Sequence, residues 1–99
     1  MKILIMGLPG SGKTTLATAL ARELQCVHFN ADEIRKEVNK DLGFSAKDRI
    51  EQARRMGVLC DIASRYGAHV IADLICPTPE AREAFDAQFI IWIDRIKES

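Results

Sequence analysis

Ile3-Leu4-Ile5-Met6-Gly7-Leu8-Pro9-Gly10-Ser11-Gly12-Lys13-Thr14 is the stretch that decides the fold. From Gly7 to Thr14 it fits G-x-x-x-x-G-K-[ST] without a mismatch, and both flanks agree with that pattern. The apolar run before it reads as a buried strand over Lys2–Met6. After it, Leu16, Leu20 and Leu24 recur at helical spacing and predict a helix over Lys13–Gln25. Glycines at 7, 10 and 12 allow a tight turn that aims successive N–H groups at one anion. The helix start adds unpaired N–H groups and the positive end of its dipole. Lys13 is placed to reach β- and γ-phosphates, and the Thr14 hydroxyl to hold Mg²⁺. The reading is a nucleotide phosphate site, with Gly7, Pro9, Gly10, Ser11, Gly12, Lys13, Thr14 and Thr15 as its candidate residues.

Further along, the chain continues to alternate. Cys26–Phe29 reads as a short strand, Ala31–Val38 as a short helix and residues 39–44 as a loop. Ser45 is a candidate cap, with Asp48 in the acidic position favoured at a helix start. That helix runs to about Tyr66 and carries Ile50, Ala53, Gly57, Cys60 and Ser64 on one face, with Arg54, Arg55 and Met56 interrupting it. Gly67 ends it. Ala68–Ala72 reads as a central strand, Pro79 opens a helix to about Ala87, and Phe89–Ile93 reads as a fourth, buried strand. Strands alternating with helices imply an α/β fold: a three-layer P-loop NTPase-type architecture with a parallel sheet of about four strands. Ligands in such sheets sit beyond the C-terminal strand ends, so chemistry is expected just after Met6, Phe29, Ala72 and Ile93.

Composition narrows the function. Ninety-nine residues make one domain, and 47% hydrophobic content supplies a core. A P-loop kinase usually has more strands and a lid, so residues 1–99 are expected to form a single domain truncated before them. Fourteen basic and fourteen acidic residues balance, which gives no global field for nucleic acid or an acidic membrane. Cys26, Cys60 and Cys76 are odd in number and set among apolar residues, which suits reduced thiols in the cytoplasm. No run approaches a membrane span. His28 and His69 have no ligand spacing around them and read as core or rim histidines.

A second constellation follows the second strand. Asp32 is expected across from the loop, with Arg35 one turn later on the same face. The carboxylate can hold Mg²⁺ waters or accept a proton from a hydroxyl, and the arginine can clamp an anion. Helix capping by Asn30 or Asp32, with Arg35 solvated, is the plainer reading of the same residues.

The loop, Asn30-Ala31-Asp32-Glu33-Ile34-Arg35, Asn39 to Ser45 (Asn-Lys-Asp-Leu-Gly-Phe-Ser), Asp48-Arg49, Arg54-Arg55 and Ile75-Cys76-Pro77 together resemble the adenylylsulfate (APS) kinase family. The resemblance implies transfer of the γ-phosphoryl of ATP, with Mg²⁺, to the 3′-hydroxyl of adenylylsulfate, giving the sulfate donor PAPS. It implies that Asp32 orients metal and acceptor, that Arg35 and Arg49 hold the adenylylsulfate, and that Phe44 stacks on its adenine. Gln52, Ile75 and Cys76 fall at further substrate positions. Without the resemblance, Phe44 reads as a plug under its loop and Arg49 as half of a helix-surface ion pair. Departures from the family pattern are Asn30-Ala31-Asp32 for Asp-Gly-Asp, Gln52 for an asparagine, Cys76 for a serine, and an additional Asp73. Asp73 suits either a metal-orienting carboxylate or a loop hydrogen bond. The family's lid and last strand would lie beyond Ser99. A different acceptor hydroxyl, on another small molecule or a polynucleotide, and a nucleotide-binding fragment without turnover are the competing functions; an uncovered sheet edge would favour a homodimer.

Overall fold

Residues 1–7, 10–75 and 78–93 are described by the computed structural model. The elements run β1 (Lys2–Met6), α1 (Lys13–Leu24), β2 (Val27–Asn30), α2 (Ala31–Glu37), α3 (Ala46–Arg65), β3 (Val70–Leu74), α4 (Pro79–Phe85) and β4 (Phe89–Trp92). The four strands pair in parallel in the order β2-β3-β1-β4. The strand leading into the phosphate loop is therefore interior, and the expected α/β architecture holds.

Strand periodicity divides the core into two layers. Ile3 and Ile5 of β1 and Ile71 of β3 point to one face, where Ala17 and Ala21 of α1 cover them. Leu4 and Met6, with Val70, Ala72 and Leu74, point to the other, against Ala53, Met56 and Cys60 of α3 and Ala81 and Phe85 of α4. Gly57 permits that second layer. A Cβ there would sit 2.5 Å from the Phe85 carbonyl oxygen and 3.0 Å from its Cα, so only glycine lets α3 and α4 approach this closely. Burial pushes the Cys60 thiol up to about 12, leaving it neutral; Cys26 is also unpaired. Among the described residues no helix is long and apolar enough to cross a membrane.

Several boundaries differ from the sequence reading, each for a local reason. α1 ends one residue early because Gln25 turns left-handed at φ 54° and caps it. β2 is shifted one residue towards the C-terminus, and α2 and α4 stop short of Val38 and Ala87. The third strand begins at Val70 rather than Ala68. Gly67 takes φ 90°, and the N–H groups of Gly67 and Ala68 donate back to Ser64 and Ala63, so these residues finish α3. Asp73 consequently lies inside β3, not beyond it.

The inward face of α3 also differs. Met56, expected to interrupt that face, is fully buried, and Gln52 joins it at 1% exposure. β4 is not the buried strand its composition suggests: among the described residues it pairs with β1 alone, and Phe89, Ile90 and Trp92 are each about half exposed. An apolar run shows that a strand is wanted, but not whether a second neighbour covers it.

Candidate active site

Capping separates one helix from the others. Asn30 Oδ1 accepts from Glu33 N–H at the start of α2, Ser45 Oγ from Asp48 N–H at α3, and Thr78 Oγ1 from Ala81 N–H at α4. Each of these helices also has an acidic residue in its first turn. α1 has neither: it starts from Gly12 at φ 90°, with no side-chain cap and no acid. Its first amides and dipole are left to whatever lies in front of them. Lys13, at that end, has no ion-pair partner among the described residues.

In front of α1 is a cleft of about 430 Å³ lined by Gly10, Lys13, Thr14, Asn30, Ala31, Asp32, Arg35, Phe44, Arg49, Gln52, Asp73, Leu74 and Ile75. The loop, the residues after β2 and the Phe44 segment, far apart in sequence, thus share one wall-to-wall space. Gly7 and Ser11 lie buried behind it. A Cβ on Gly7 would stand 2.7 Å from Ser11 Oγ, and that hydroxyl has no hydrogen-bond partner among the described residues. Gly12 forms the turn, while Thr15 is exposed and does not line the cleft. Pro9 and Cys76 lie outside the described residues, as do Asp94 to Ser99.

The floor is a polar network on the α1 face of the sheet. Register sets Asn30 beside Asp73 and His28 beside Ile71, so His28, Asn30 and Asp73 project to the same side. Asp73 Oδ1 accepts from Thr14 Oγ1 at 3.0 Å and from Asn30 Nδ2 at 2.9 Å; its Oδ2 is hydrogen-bonded by His28 Nε2. Asp73 is 1% exposed, so these three donors are what makes its burial tolerable. Asn30 thus does two things at once, capping α2 with its oxygen and bonding Asp73 with its nitrogen. His28 is a rim histidine in position, yet it joins this network. Nothing in its sequence surroundings shows that, because the link depends on strand order.

On the opposite wall, Asp32 is well exposed and sits 3.6 Å from Arg35 Nη1. Arg35 holds its guanidinium 4.5 Å from the Phe44 ring centroid, and its buried Nε lacks a partner among the described residues. Arg49 lies 5.9 Å from the same ring, and its Nε donates to the Phe44 carbonyl at 2.9 Å. Phe44 is 66% exposed, so it is no core plug, and Arg49 makes no helix-surface ion pair with Asp48. Asp48 instead accepts from Gly43 N–H.

Behind that wall, Gln52 donates to the Ala31 carbonyl at 3.0 Å and accepts from Asn39 Nδ2 at 2.8 Å, so its amide is committed inside the protein. Arg54 and Arg55 stay out of the cleft. Both pair with Glu51, and Arg55 also grips Asp41 and reaches Asn39. Arg54 and Arg55 together hold the Glu51 carboxyl down to about 2, and Arg55 holds Asp41 below the usual carboxylate range. The segment bearing Phe44 is tied to α3 by these contacts.

The donors present suit Mg²⁺. Thr14 donates its hydroxyl hydrogen to Asp73 and accepts from Asn30 Nδ2 at 3.4 Å, which leaves one lone pair for a cation, and the nearby carboxylates are hard oxygen donors. Few carboxylates and ample room match a cation that retains water.

Sheet order, interior loop strand, uncapped α1 and facing polar wall define a P-loop domain of the kinase type. The adenylylsulphate kinase family profile matches residues 1–91. Adenylyl-sulfate kinase 3 of Arabidopsis thaliana is 44% identical over 85 residues, covering 81% of this chain and 41% of the plant protein. The adenylyl-sulfate kinase of Bacillus velezensis is 44% identical over 84 residues, covering 80% and 43%. Among solved structures, an APS kinase of Mycobacterium tuberculosis in complex with AMPPNP and APS has a TM-score of 0.86 at 29% identity, covering 94% of this chain and 62% of that one. The chain belongs to the adenylylsulfate kinase family. It spans less than half the length of the two curated relatives.

Proposed function

We propose that the cleft takes the triphosphate of ATP at the start of α1 and adenylylsulfate against the Arg35–Phe44–Arg49 wall, for transfer of the γ-phosphoryl to the 3′-hydroxyl. The observation that carries this reading is the pairing of an uncapped helix start and a Lys13 without an ion-pair partner among the described residues with two arginines beside an exposed ring across one cleft. Lys13 and the α1 amides stabilise the negative charge of the phosphoryl oxygens. Phe44 offers a flat π surface to the purine, and the arginines suit phosphate and sulfate oxygens. Asp32 is open to the cleft and serves to orient the acceptor hydroxyl or take its proton. Thr14, Asp73 and Asp32 are the residues that would hold Mg²⁺, which supplies charge neutralisation when bound.

The same reading treats residues 1–99 as one P-loop domain, to which the resemblance adds a lid. It places the protein in the cytoplasm and allows two copies to meet along β4; light scattering reads that association. The test of function is PAPS formation from MgATP and adenylylsulfate, by this chain and by a version extended through a lid. Lys13→Ala should cut the rate by about three orders of magnitude or more while urea unfolding stays unchanged. Full activity in that variant would refute the mechanism, and faster transfer to an oligonucleotide would refute the acceptor.

A further inference from the structure

A carboxylate offers about four lone-pair positions, two on each oxygen. In Asp73 both positions on Oδ1 are used, by Thr14 and Asn30, and one on Oδ2 is used by His28. An ionised carboxylate only accepts, so His28 Nε2 carries the hydrogen in this contact. The terminal torsion of an aspartate is soft. With Oδ1 alone restrained, the group could swing about that oxygen and take Thr14 with it. The third donor fixes the carboxylate plane.

We propose that His28 is a positioning residue for the phosphate half of the site: by holding Asp73 it keeps the Thr14 hydroxyl hydrogen turned inward and leaves the lone pair that Asn30 does not use turned toward the cleft, where a divalent cation binds. This deepens the proposed function and rests on its assignment of Thr14 and Asp73 to the metal. The geometry favours positioning over plain packing for two reasons. Among the described residues, His28 is one of three side chains that reach a carboxylate buried to 1% exposure. It also meets the oxygen that the other two do not. Register places it two residues before Asn30 on the same strand face, so one short strand supplies a donor to each oxygen of Asp73.

The experiment measures ADP binding by calorimetry with and without Mg²⁺. The proteins are the unaltered chain, His28→Leu, His28→Asn, whose shorter amide falls short of Asp73, and His28→Gln, whose amide nitrogen can stand where Nε2 does. Leu and Asn variants should lose about tenfold of the Mg²⁺-dependent gain in affinity, with metal-free affinity unchanged, and Gln should retain most of it. Equal Mg²⁺ gain in all four proteins overturns the role of His28 while leaving the proposed function standing. So does an equal loss with and without the metal, which marks packing. If the unaltered chain binds ADP with no gain from Mg²⁺, the metal assignment falls and His28 falls with it. If it binds no nucleotide at all, the proposed function itself fails.

Discussion

Asn30→Asp is a substitution of one atom whose effect can be worked from the floor of the cleft. The new carboxylate keeps the α2 cap, because an oxygen still faces Glu33 N–H, now 3.1 Å from Asn30 Oδ1. What changes is the other atom: a donor 2.9 Å from Asp73 Oδ1 becomes a second anionic oxygen. Two unit charges about 4 Å apart at an effective dielectric of 20 repel by about 4 kcal/mol. The lost hydrogen bond to a charged group adds about 1.5 kcal/mol or more. His28 on the far oxygen and nearby solvent offset part of this, so the expected loss is about 3 kcal/mol at pH 8. Urea unfolding of Asn30→Asp, Asp73→Ser and the double variant supplies the assay. The double variant should be more stable than the two single losses add up to, by 1 kcal/mol or more, because it removes the clash. The Asn30→Asp penalty should also shrink in acid, where the pair can share a proton. An Asn30→Asp protein within about 0.5 kcal/mol of the parent at pH 8, comparable to ordinary surface substitutions, would refute the Asn30–Asp73 contact.

Three further outcomes are expected. Gly57→Ala should cost about 2 kcal/mol or more in urea unfolding, because its Cβ meets α4 backbone that cannot rotate away; a neutral result would mean that α3 and α4 do not pack as described. Phe44→Ala should raise the KM for adenylylsulfate about tenfold with little change in that for ATP, since its exposed ring lies on the acceptor wall; equal changes in both would remove its assignment. Glu51 has its folded pKa depressed to about 2 from an ordinary 4.5, so its contribution is present above about 4.5 and lost as pH falls towards 2. Glu51→Gln should therefore narrow the gap to the parent in acid unfolding over that window, and a gap independent of pH would count against the ion pairs.

What could be read from the sequence was what neighbouring residues settle among themselves. Gly10 and Gly12 take the positive φ that a tight turn asks of glycine, Ser45 finds its partner three residues on at Asp48, and the cleft residues follow once each strand end is known. The His28–Asp73 contact joins residues 45 apart and exists only because β2 and β3 are neighbours in one register. Asn30 was readable as a cap but not as a donor to Asp73, for the same reason. Gln52 and Met56 went unread as core because the buried face of α3 is wider than its apolar stripe, with a satisfied amide filling part of it. The ties from Arg55 to Asp41 depend on how the 39–44 segment folds back, which no periodic pattern encodes.

β4, outermost among the described strands, carries the chain's sole tryptophan. Trp92 is 57% exposed, with the Arg82 guanidinium 6.0 Å from its ring, and it is not a cleft residue. Its emission should therefore be red, quenchable by iodide and indifferent to nucleotide, shifting to the blue only when something lies down along β4. Nature has placed a single built-in fluorophore on that border, so coverage of the sheet can be followed by light without attaching a dye.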